Sequence, residues 1–245
     1  MSADNDGFEF DADIDDNDAQ DIRAFNSTLV RLRERRLTEI TISGPLRKSK
    51  LAWKIATYQQ PVLYRVVMLA SGCAANWNGR NLLCAYLAAR ALIETVAVFL
   101  VFEDELQTLI EQENLGEIDA LIMNRTFSTR DTEFIEALPN TKAINILTFI
   151  DRLEKQDLSG VRKHYEFLSE RCHPNYLGQY HFFGTRDRET NVVSYSDWGN
   201  LERHFNYVLA AAMLIQFVER CMDRLDTAIL RVSELQHKID PIVED

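Results

Sequence analysis

One segment of the chain is apolar on almost every face over the length of a long helix. It runs from Asn81 to about Gln112, and large apolar residues recur in it at helical spacing until Glu103. A helix that is apolar all round must be covered by other elements, as the central helix of a bundle is. The segment therefore predicts an all-α fold, a helical bundle with a long central helix.

Shorter amphipathic segments on both sides of this helix complete the predicted bundle. We expect helices over 19–37, from about 49 onwards, at about 114–125, 131–137 and 141–155, and from Ser159 to His173. The chain has only 9 Gly and 5 Pro in 245 residues, which argues against a fold of many short strands and tight turns.

A second long helix is predicted from Gly199 to about Asp240, where an apolar stripe continues without a break. A compact domain of this size does not need so long a helix, so we expect its last turns to project and to contact a second copy in a homodimer. Residues 176–196 do not continue the helical pattern; aromatic and β-branched residues flank a charged stretch, which predicts a small β-hairpin excursion. Alternating β-branched residues predict one further short strand at 37–42.

The acidity of the chain is concentrated at its N-terminal end. Residues 1–21 contain nine Asp and Glu and no Lys or Arg, whereas the remaining 224 residues carry 27 basic and 29 acidic side chains. Because repulsion outweighs what three large apolar side chains gain by burial, we expect a disordered acidic tail at 1–21 and a single helical domain at 22–245. Eight Lys and Arg between Arg31 and Lys54 are either a solvated face or a weak nucleic-acid surface that the tail shields.

The sequence predicts a cytoplasmic protein without membrane contact. The N-terminus is acidic where a signal peptide requires a basic and then an apolar stretch. The longest stretch without charge in a helical pattern, 204–218, is too short to cross a hydrocarbon core of ~30 Å. No Walker loop, Gly-rich dinucleotide turn or HExxH motif occurs, and we expect no bound cofactor.

Two charged residues interrupt the apolar central helix. Arg90 and Glu94 lie one turn apart on the same helical face. Burying either alone is costly, so they must pair with each other or with groups from elsewhere in the chain. They form either a structural ion pair that fixes the register of the helix or one half of a polar pocket inside the bundle.

The segment from Tyr165 to Asn175 is the candidate for the other half of this pocket. Tyr165, Ser169 and His173 share a helical face, and Pro174 ends the helix directly after the histidine. An imidazole at the C-terminal end of a helix is favoured in its protonated form by the helix dipole. The segment is either a helix stop without chemistry or a polar site in which the His173 imidazole meets Arg90 and Glu94.

An Arg-x-x-x-Glu pair on a long apolar helix, followed by Tyr-x-x-Leu-Ser-Glu-x-x-His-Pro-Asn, resembles uncharacterised bacterial helical families similar to the HEPN superfamily. The resemblance implies a helical bundle, often dimeric, of the kind found among toxin, antiphage and stress-response proteins. Active members are metal-independent ribonucleases with an Arg-x(4–6)-His motif. By analogy, the catalytic residues here are Arg90, Glu94, Arg171, His173 and Asn175. The binding residues are Tyr165, Ser169, Glu170 and His181.

The chain departs from the motif of the active members. Arg171 lies too close to His173 and too far from His181, and we interpret the literal match from Arg231 to His237 as coincidence because it lies at the end of the last helix. Our first hypothesis is a HEPN-like defence or stress protein whose polar pocket binds a nucleotide or RNA. The alternative is a non-catalytic interaction or scaffold protein whose polar network is structural. A third interpretation takes two Glu-x-x-His pairs, 170–173 and 234–237, as ligands of a di-iron bundle.

Overall fold

The structure is a computed structural model that describes residues 7–10, 16–155, 158–197 and 202–239. Over these residues the chain is an all-α bundle with one small hairpin, so the predicted fold class is confirmed. The helices are α1 (Asp16–Glu34), α2 (Pro45–Lys48), α3 (Lys50–Asn78), α4 (Leu82–Glu111), α5 (Leu115–Phe127), α6 (Thr132–Ala137), α7 (Ile146–Lys155), α8 (Val161–Cys172), α9 (Tyr180–Phe183), α10 (Glu202–Ala212) and α11 (Ile215–Ile239). A 3₁₀ turn at Pro139–Thr141 and the strands β1 (Gly184–Arg186) and β2 (Val193–Tyr195) complete the described elements.

Helix α4 is the centre of the bundle, as predicted. It contacts α3, α5, α7, α8, α10 and α11, and most of its side chains are buried among them. The Asn81 side chain caps the helix by accepting a hydrogen bond from the Cys84 amide at 3.2 Å. Since α4 lies at the centre of these contacts, it determines where α8 meets the charged pair that α4 carries.

The predicted long C-terminal helix is divided into α10 and α11, which corrects the sequence prediction. The chain tightens at residues 213–214, where the Leu214 amide donates to the Ala211 carbonyl at 3.3 Å, a bond across three residues instead of four. The last turns of α11 do not project within the described residues. Ser233 donates to the Pro45 carbonyl at 2.8 Å, and Gln236 accepts a hydrogen bond from Ser49 at 2.5 Å.

The N-terminal acidic segment is folded wherever the structure describes it, so the prediction of disorder is wrong for residues 7–10 and 16–21. Phe8 is buried against the rings of Phe25 and Phe205, and α1 begins at Asp16. The Asn26 amide pairs with both backbone groups of Phe8, at 2.9 Å and 3.0 Å. Burial of one aromatic ring and pairing of its backbone therefore outweigh the repulsion among the carboxylates. The other residues of this segment lie outside the described ranges.

The two predictions of β-structure have different outcomes. The hairpin is confirmed, because β1 and β2 pair antiparallel with Thr185 opposite Ser194. Residues 37–42 form no strand, because side chains of α3 take the place of a strand partner. The Gln60 carbonyl accepts from the Leu37 amide at 2.9 Å, and the Tyr64 hydroxyl donates to the Leu37 carbonyl at 3.2 Å.

By length and composition, α4 is the one described helix that is apolar enough to cross a membrane. Its most apolar window has a mean hydropathy of 1.8, and 67% of that window is buried inside the protein. The core helix of a bundle has the same properties, and α4 occupies that central position in this fold.

Candidate functional site

Arg90, Glu94 and Tyr165 form one polar network between α4 and α8. The Tyr165 hydroxyl donates to Oε1 of Glu94 at 2.8 Å and accepts from Nη2 of Arg90 at 3.3 Å. Arg90 and Glu94 form an ion pair at 3.3 Å, and the guanidinium carbon lies 5.6 Å from the centre of the Tyr165 ring. The structure thus brings three of the predicted site residues together, and the partner that α8 contributes is a phenol.

The environment of this network keeps its phenol neutral. Burial raises the pKa of the Tyr165 hydroxyl; the hydrogen bond from Arg90 opposes this shift, and the bond to Glu94 adds to it. Burial also raises the pKa of the nearby Cys172 thiol, which is therefore not an activated nucleophile. Nε of Arg90 is buried and has no hydrogen-bond partner among the described residues. One donor of the network is thus unused.

An open groove with a volume of about 570 Å³ lies beside this network, along one face of α8. We call it the α8 groove. Its lining residues come from the start of α7 and from successive turns of α8: Asn145, Ile146, Leu147, Arg162, Tyr165, Glu166, Ser169, Glu170 and His173. Tyr165 belongs to both the groove and the network, so the groove contains four predicted site residues and adjoins Arg90 and Glu94.

The predicted contact between the His173 imidazole and Arg90 or Glu94 is wrong. Helix α8 ends at Cys172, and His173 has extended backbone angles (φ −85°, ψ 147°), so its side chain leaves the helical face on which the prediction relied. His173 lies exposed at the end of the α8 groove, and no hydrogen bond joins it to Arg90 or Glu94 in the described part of the chain. Tyr165 takes the place that the prediction gave to the imidazole.

Asn175 stabilises the turn that follows α8. Its Nδ2 donates to Oε2 of Glu170 at 2.7 Å, and its Oδ1 accepts from the Gly178 amide at 2.9 Å. A Cβ at position 178 would lie 2.0 Å from the His173 carbonyl oxygen, so the turn requires glycine there. Asn175 therefore fixes Glu170 and the path of the chain, and its amide does not reach the Arg90 network.

Arg171 belongs to a separate cluster around His204. Its guanidinium carbon lies 3.4 Å from the centre of the Phe167 ring, and Nη1 donates to the Phe167 carbonyl at 3.1 Å. His204 is hydrogen-bonded through Nδ1 to the Tyr86 hydroxyl. Burial, followed by the charges of Arg171 and His181, lowers the pKa of His204. Tyr86 and His204 were not among the predicted site residues, since no motif spacing links two residues from α4 and α10.

His181 lines a second groove, with a volume of about 930 Å³, beside the hairpin. We call it the hairpin groove. Its lining residues are Tyr176, Tyr180, His181, Gly184, Arg186 and Arg188. Only His181 of this groove was among the predicted site residues, although the aromatic and basic composition of 176–188 was a visible signal.

No group of three or more His, Cys, Asp or Glu side chains that could hold a metal ion occurs in the described ranges. The pairs 170–173 and 234–237 are therefore not joined there into a di-iron site. Comparison of the chain with protein-family models, curated proteins and solved structures gives no match. The relationship to the HEPN superfamily stays a prediction.

Proposed function

We propose that the protein is a HEPN-like bacterial defence or stress protein that binds a nucleotide or a segment of RNA in the α8 groove. The observation that supports this proposal is the groove itself. Its volume of about 570 Å³ lies within the range of ligand pockets, and basic, acidic, hydroxyl and apolar side chains line it. A nucleotide presents a phosphate, sugar hydroxyls and a largely apolar base, which match these groups.

Two basic residues of the groove can receive a phosphate. Arg162 is shared between Glu166 at 2.7 Å and Asp151 at 2.5 Å, so part of its charge is already neutralised. His173 is exposed at the end of the groove, and no described residue accepts a hydrogen bond from its ring. We therefore assign the main phosphate contact to His173 and a secondary contact to Arg162.

The remaining lining residues suit the sugar and the base. Ser169 and Glu170 line the groove in the last turns of α8, before His173, and offer a hydroxyl and a carboxylate to ribose hydroxyls. Ile146 and Leu147, from the start of α7, offer an apolar contact to a base. The Tyr165 network acts as a support, because it holds α8 against α4 directly beside the groove.

The second candidate function is a non-catalytic interaction or scaffold protein. The observation that favours it is the network of Arg90, Glu94 and Tyr165, in which the phenol bonds to both charged groups. Such a network stabilises the contact between two helices without any ligand. This alternative predicts a folded protein that binds neither nucleotides nor RNA.

Titration of the purified chain with fluorescent AMP tests the proposal. We expect saturable binding, and we expect His173→Ala to weaken it by about tenfold, the effect of one charge-assisted hydrogen bond. Lys163→Ala is the matched control, because it removes a positive charge from an exposed position of α8 outside the groove. Incubation of RNA with the protein in chelator tests for metal-independent cleavage in the same preparation.

Two outcomes of this titration contradict the proposal. Absence of AMP and RNA binding by a folded protein supports the scaffold alternative. Binding that His173→Ala leaves unchanged, or that Lys163→Ala weakens equally, shows that the α8 groove is not the binding site.

A further inference from the structure

Three nearly parallel rings form one wall of the hairpin groove. The ring centres of Tyr176 and Tyr180 lie 5.8 Å apart with an interplanar angle of 19°, and those of Tyr176 and His181 lie 6.1 Å apart at 8°. Tyr176 is 65% exposed and Tyr180 is 36% exposed. The faces of these rings are therefore ordered relative to one another, yet they are open to a ligand instead of being covered by the core.

The backbone holds these rings in place without help from a ligand. The His181 amide donates to the Tyr176 carbonyl at 2.9 Å, which ties the turn after α8 to the short helix α9. A Cβ at Gly184 would lie 2.7 Å from the Tyr180 carbonyl oxygen, so glycine permits the close approach of β1 to α9. The hairpin is thereby placed directly beside the aromatic wall.

The hairpin contributes two arginines to the same groove. Arg186 is at the end of β1, and its Nη2 donates to Oδ1 of Asn191 at 2.6 Å, while Arg188 lies in the turn. The acid between them, Asp187, accepts from the Glu189 amide at 2.8 Å and from the Thr190 hydroxyl at 2.7 Å. Because Asp187 is engaged by the turn, neither arginine side chain is drawn into an ion pair with it.

We propose that the hairpin groove binds the unpaired bases of single-stranded RNA, with the rings of Tyr176, Tyr180 and His181 stacking on bases and Arg186 and Arg188 contacting phosphates. Stacked aromatic faces next to basic side chains are the features with which proteins hold single strands without reading their sequence. A base inside a duplex has no free face, so a duplex does not fit this wall. This inference rests on the proposed function and names single-stranded RNA as its ligand.

The linings of the two grooves adjoin along the chain, so we expect a strand that occupies the first groove to reach the second. His173 ends the α8 groove and Tyr176 begins the hairpin groove, and the turn through Asn175 and Gly178 fixes the chain between them. A mononucleotide fills only one groove. An oligonucleotide that extends from the first to the second gains the stacking contacts, so RNA binds more tightly than AMP.

Fluorescence anisotropy with a labelled oligouridylate tests this inference. We expect Tyr176→Ala combined with Tyr180→Ala to weaken binding of the single strand by at least about tenfold, the loss of one or two stacked bases. The same variant leaves AMP binding unchanged, because AMP contacts only the α8 groove. Tyr176→Phe keeps the aromatic ring, so we expect this variant to bind the strand as tightly as the wild-type protein does. Tyr195→Ala is the matched control, because it removes an exposed tyrosine of the same hairpin that does not line the groove.

The outcomes separate failure of this inference from failure of the proposed function. Tight binding of oligouridylate that the double variant does not weaken overturns the inference and leaves the α8 groove proposal intact. Equal affinity for the strand and for its duplex with oligoadenylate also overturns the inference. If the wild-type protein binds AMP but no strand more tightly than AMP, the hairpin groove contributes nothing and the inference fails alone. If it binds neither AMP nor RNA, both proposals fail.

Discussion

Tyr165 bonds to two charged groups at once because a phenol both donates and accepts hydrogen bonds. Its proton goes to the Glu94 carboxylate, and its oxygen accepts from the Arg90 guanidinium. A protonated imidazole has two donors and no acceptor, so it would satisfy Glu94 but would repel Arg90. The Arg90–Glu94 pair therefore favours a tyrosine as its partner from α8. His173 is not used by this pair and stays available at the α8 groove.

Two partly buried histidines make the stability of the protein sensitive to mild acid. Burial lowers the pKa of His164, whose Nε2 donates to the Tyr207 carbonyl at 2.8 Å, and burial with the Arg171 charge lowers that of His204. A depressed pKa in the folded state means that the unfolded chain binds more protons below the ordinary value of 6.5. We expect these histidines to leave the free energy of unfolding unchanged above pH 6.5 and to lower it progressively as the pH falls below 6.5.

Urea denaturation at a series of pH values, kept above the range in which carboxylates titrate, measures this effect. Replacement of both histidines, His164→Gln with His204→Gln, removes the two titrating groups and flattens the dependence. A free energy of unfolding that stays constant or rises between pH 6.5 and about 5 contradicts the prediction.

At the scale of elements, α8 begins where another helix supplies its cap. The predicted helix begins at Ser159, but α8 starts at Val161 after Gly160, whose φ of 91° favours glycine. The Glu154 carboxylate, from α7, accepts from the Gly160 and Arg162 amides at 2.9 Å each. A local sequence pattern predicts that a helix exists here. It does not predict a capping group that tertiary structure brings from the preceding helix.

Two arginines of the basic stretch, at the end of α1 and directly after it, are likewise neutralised by a distant element. Arg31 pairs with Glu219 at 2.5 Å, and Arg35 pairs with Asp223 at 2.6 Å and Asp226 at 2.7 Å, all on α11. Within the described residues, α11 packs beside α1 and presents a row of carboxylates to these arginines. This part of the stretch is therefore an interface between helices, and it offers little charge to RNA.

The docking of the N-terminal segment through Phe8 can be tested by mutation. Phe8→Ala removes the ring that packs on Phe25 and Phe205, and we expect the free energy of unfolding to fall by about 1–3 kcal/mol. The loss is smaller than for a central core residue, because a terminal segment can detach by itself. Urea denaturation measures the loss, and hydrogen exchange at the amides of Phe8 and Glu9 reports detachment. Phe10→Ala is the control, since Phe10 is 52% exposed.

Retained protection of these amides in Phe8→Ala would show that the backbone pairing alone holds the segment. The Asn26 amide contacts both backbone groups of Phe8, and the Asn78 amide donates to the Gly7 carbonyl at 2.8 Å. That result would contradict the assignment of the docking energy mainly to the ring.

At the scale of the whole molecule, helical periodicity predicts the bundle because it reports which faces are buried. It predicts α4 and α8 within one or two residues, and it places Arg90 and Glu94 on one face of the central helix. It does not predict the break at residues 213–214, because the apolar stripe continues through it. The reasoning for a homodimer began from a projecting end of α11, and the described turns are docked instead. The homodimer therefore stays a prediction without that argument.

The charge of the whole molecule determines how RNA binding responds to salt. The chain carries a formal net charge of −11, so binding of a polyanion depends on a few local contacts and not on a broad basic surface. Each phosphate contact to a single strand contributes a slope of about −0.7 to the plot of log affinity against log salt concentration. With Arg186, Arg188 and His173 as the contacts, we expect a slope between about −1 and −2 for oligouridylate. Repulsion between the RNA and the acidic remainder of the molecule makes the slope shallower than the sum of the three contacts would give.

Anisotropy titrations at several salt concentrations measure this slope, and Arg186→Gln should make it shallower by about 0.7. Tyr176→Ala is the matched comparison, because it weakens binding through stacking and leaves the slope as in the wild type. A slope of about −4 or steeper would require many more phosphate contacts than the two grooves contain. It would show that RNA lies elsewhere on the molecule. Arg31 and Arg35 are paired with α11, so these two arginines would contribute to such a surface only after those pairs break.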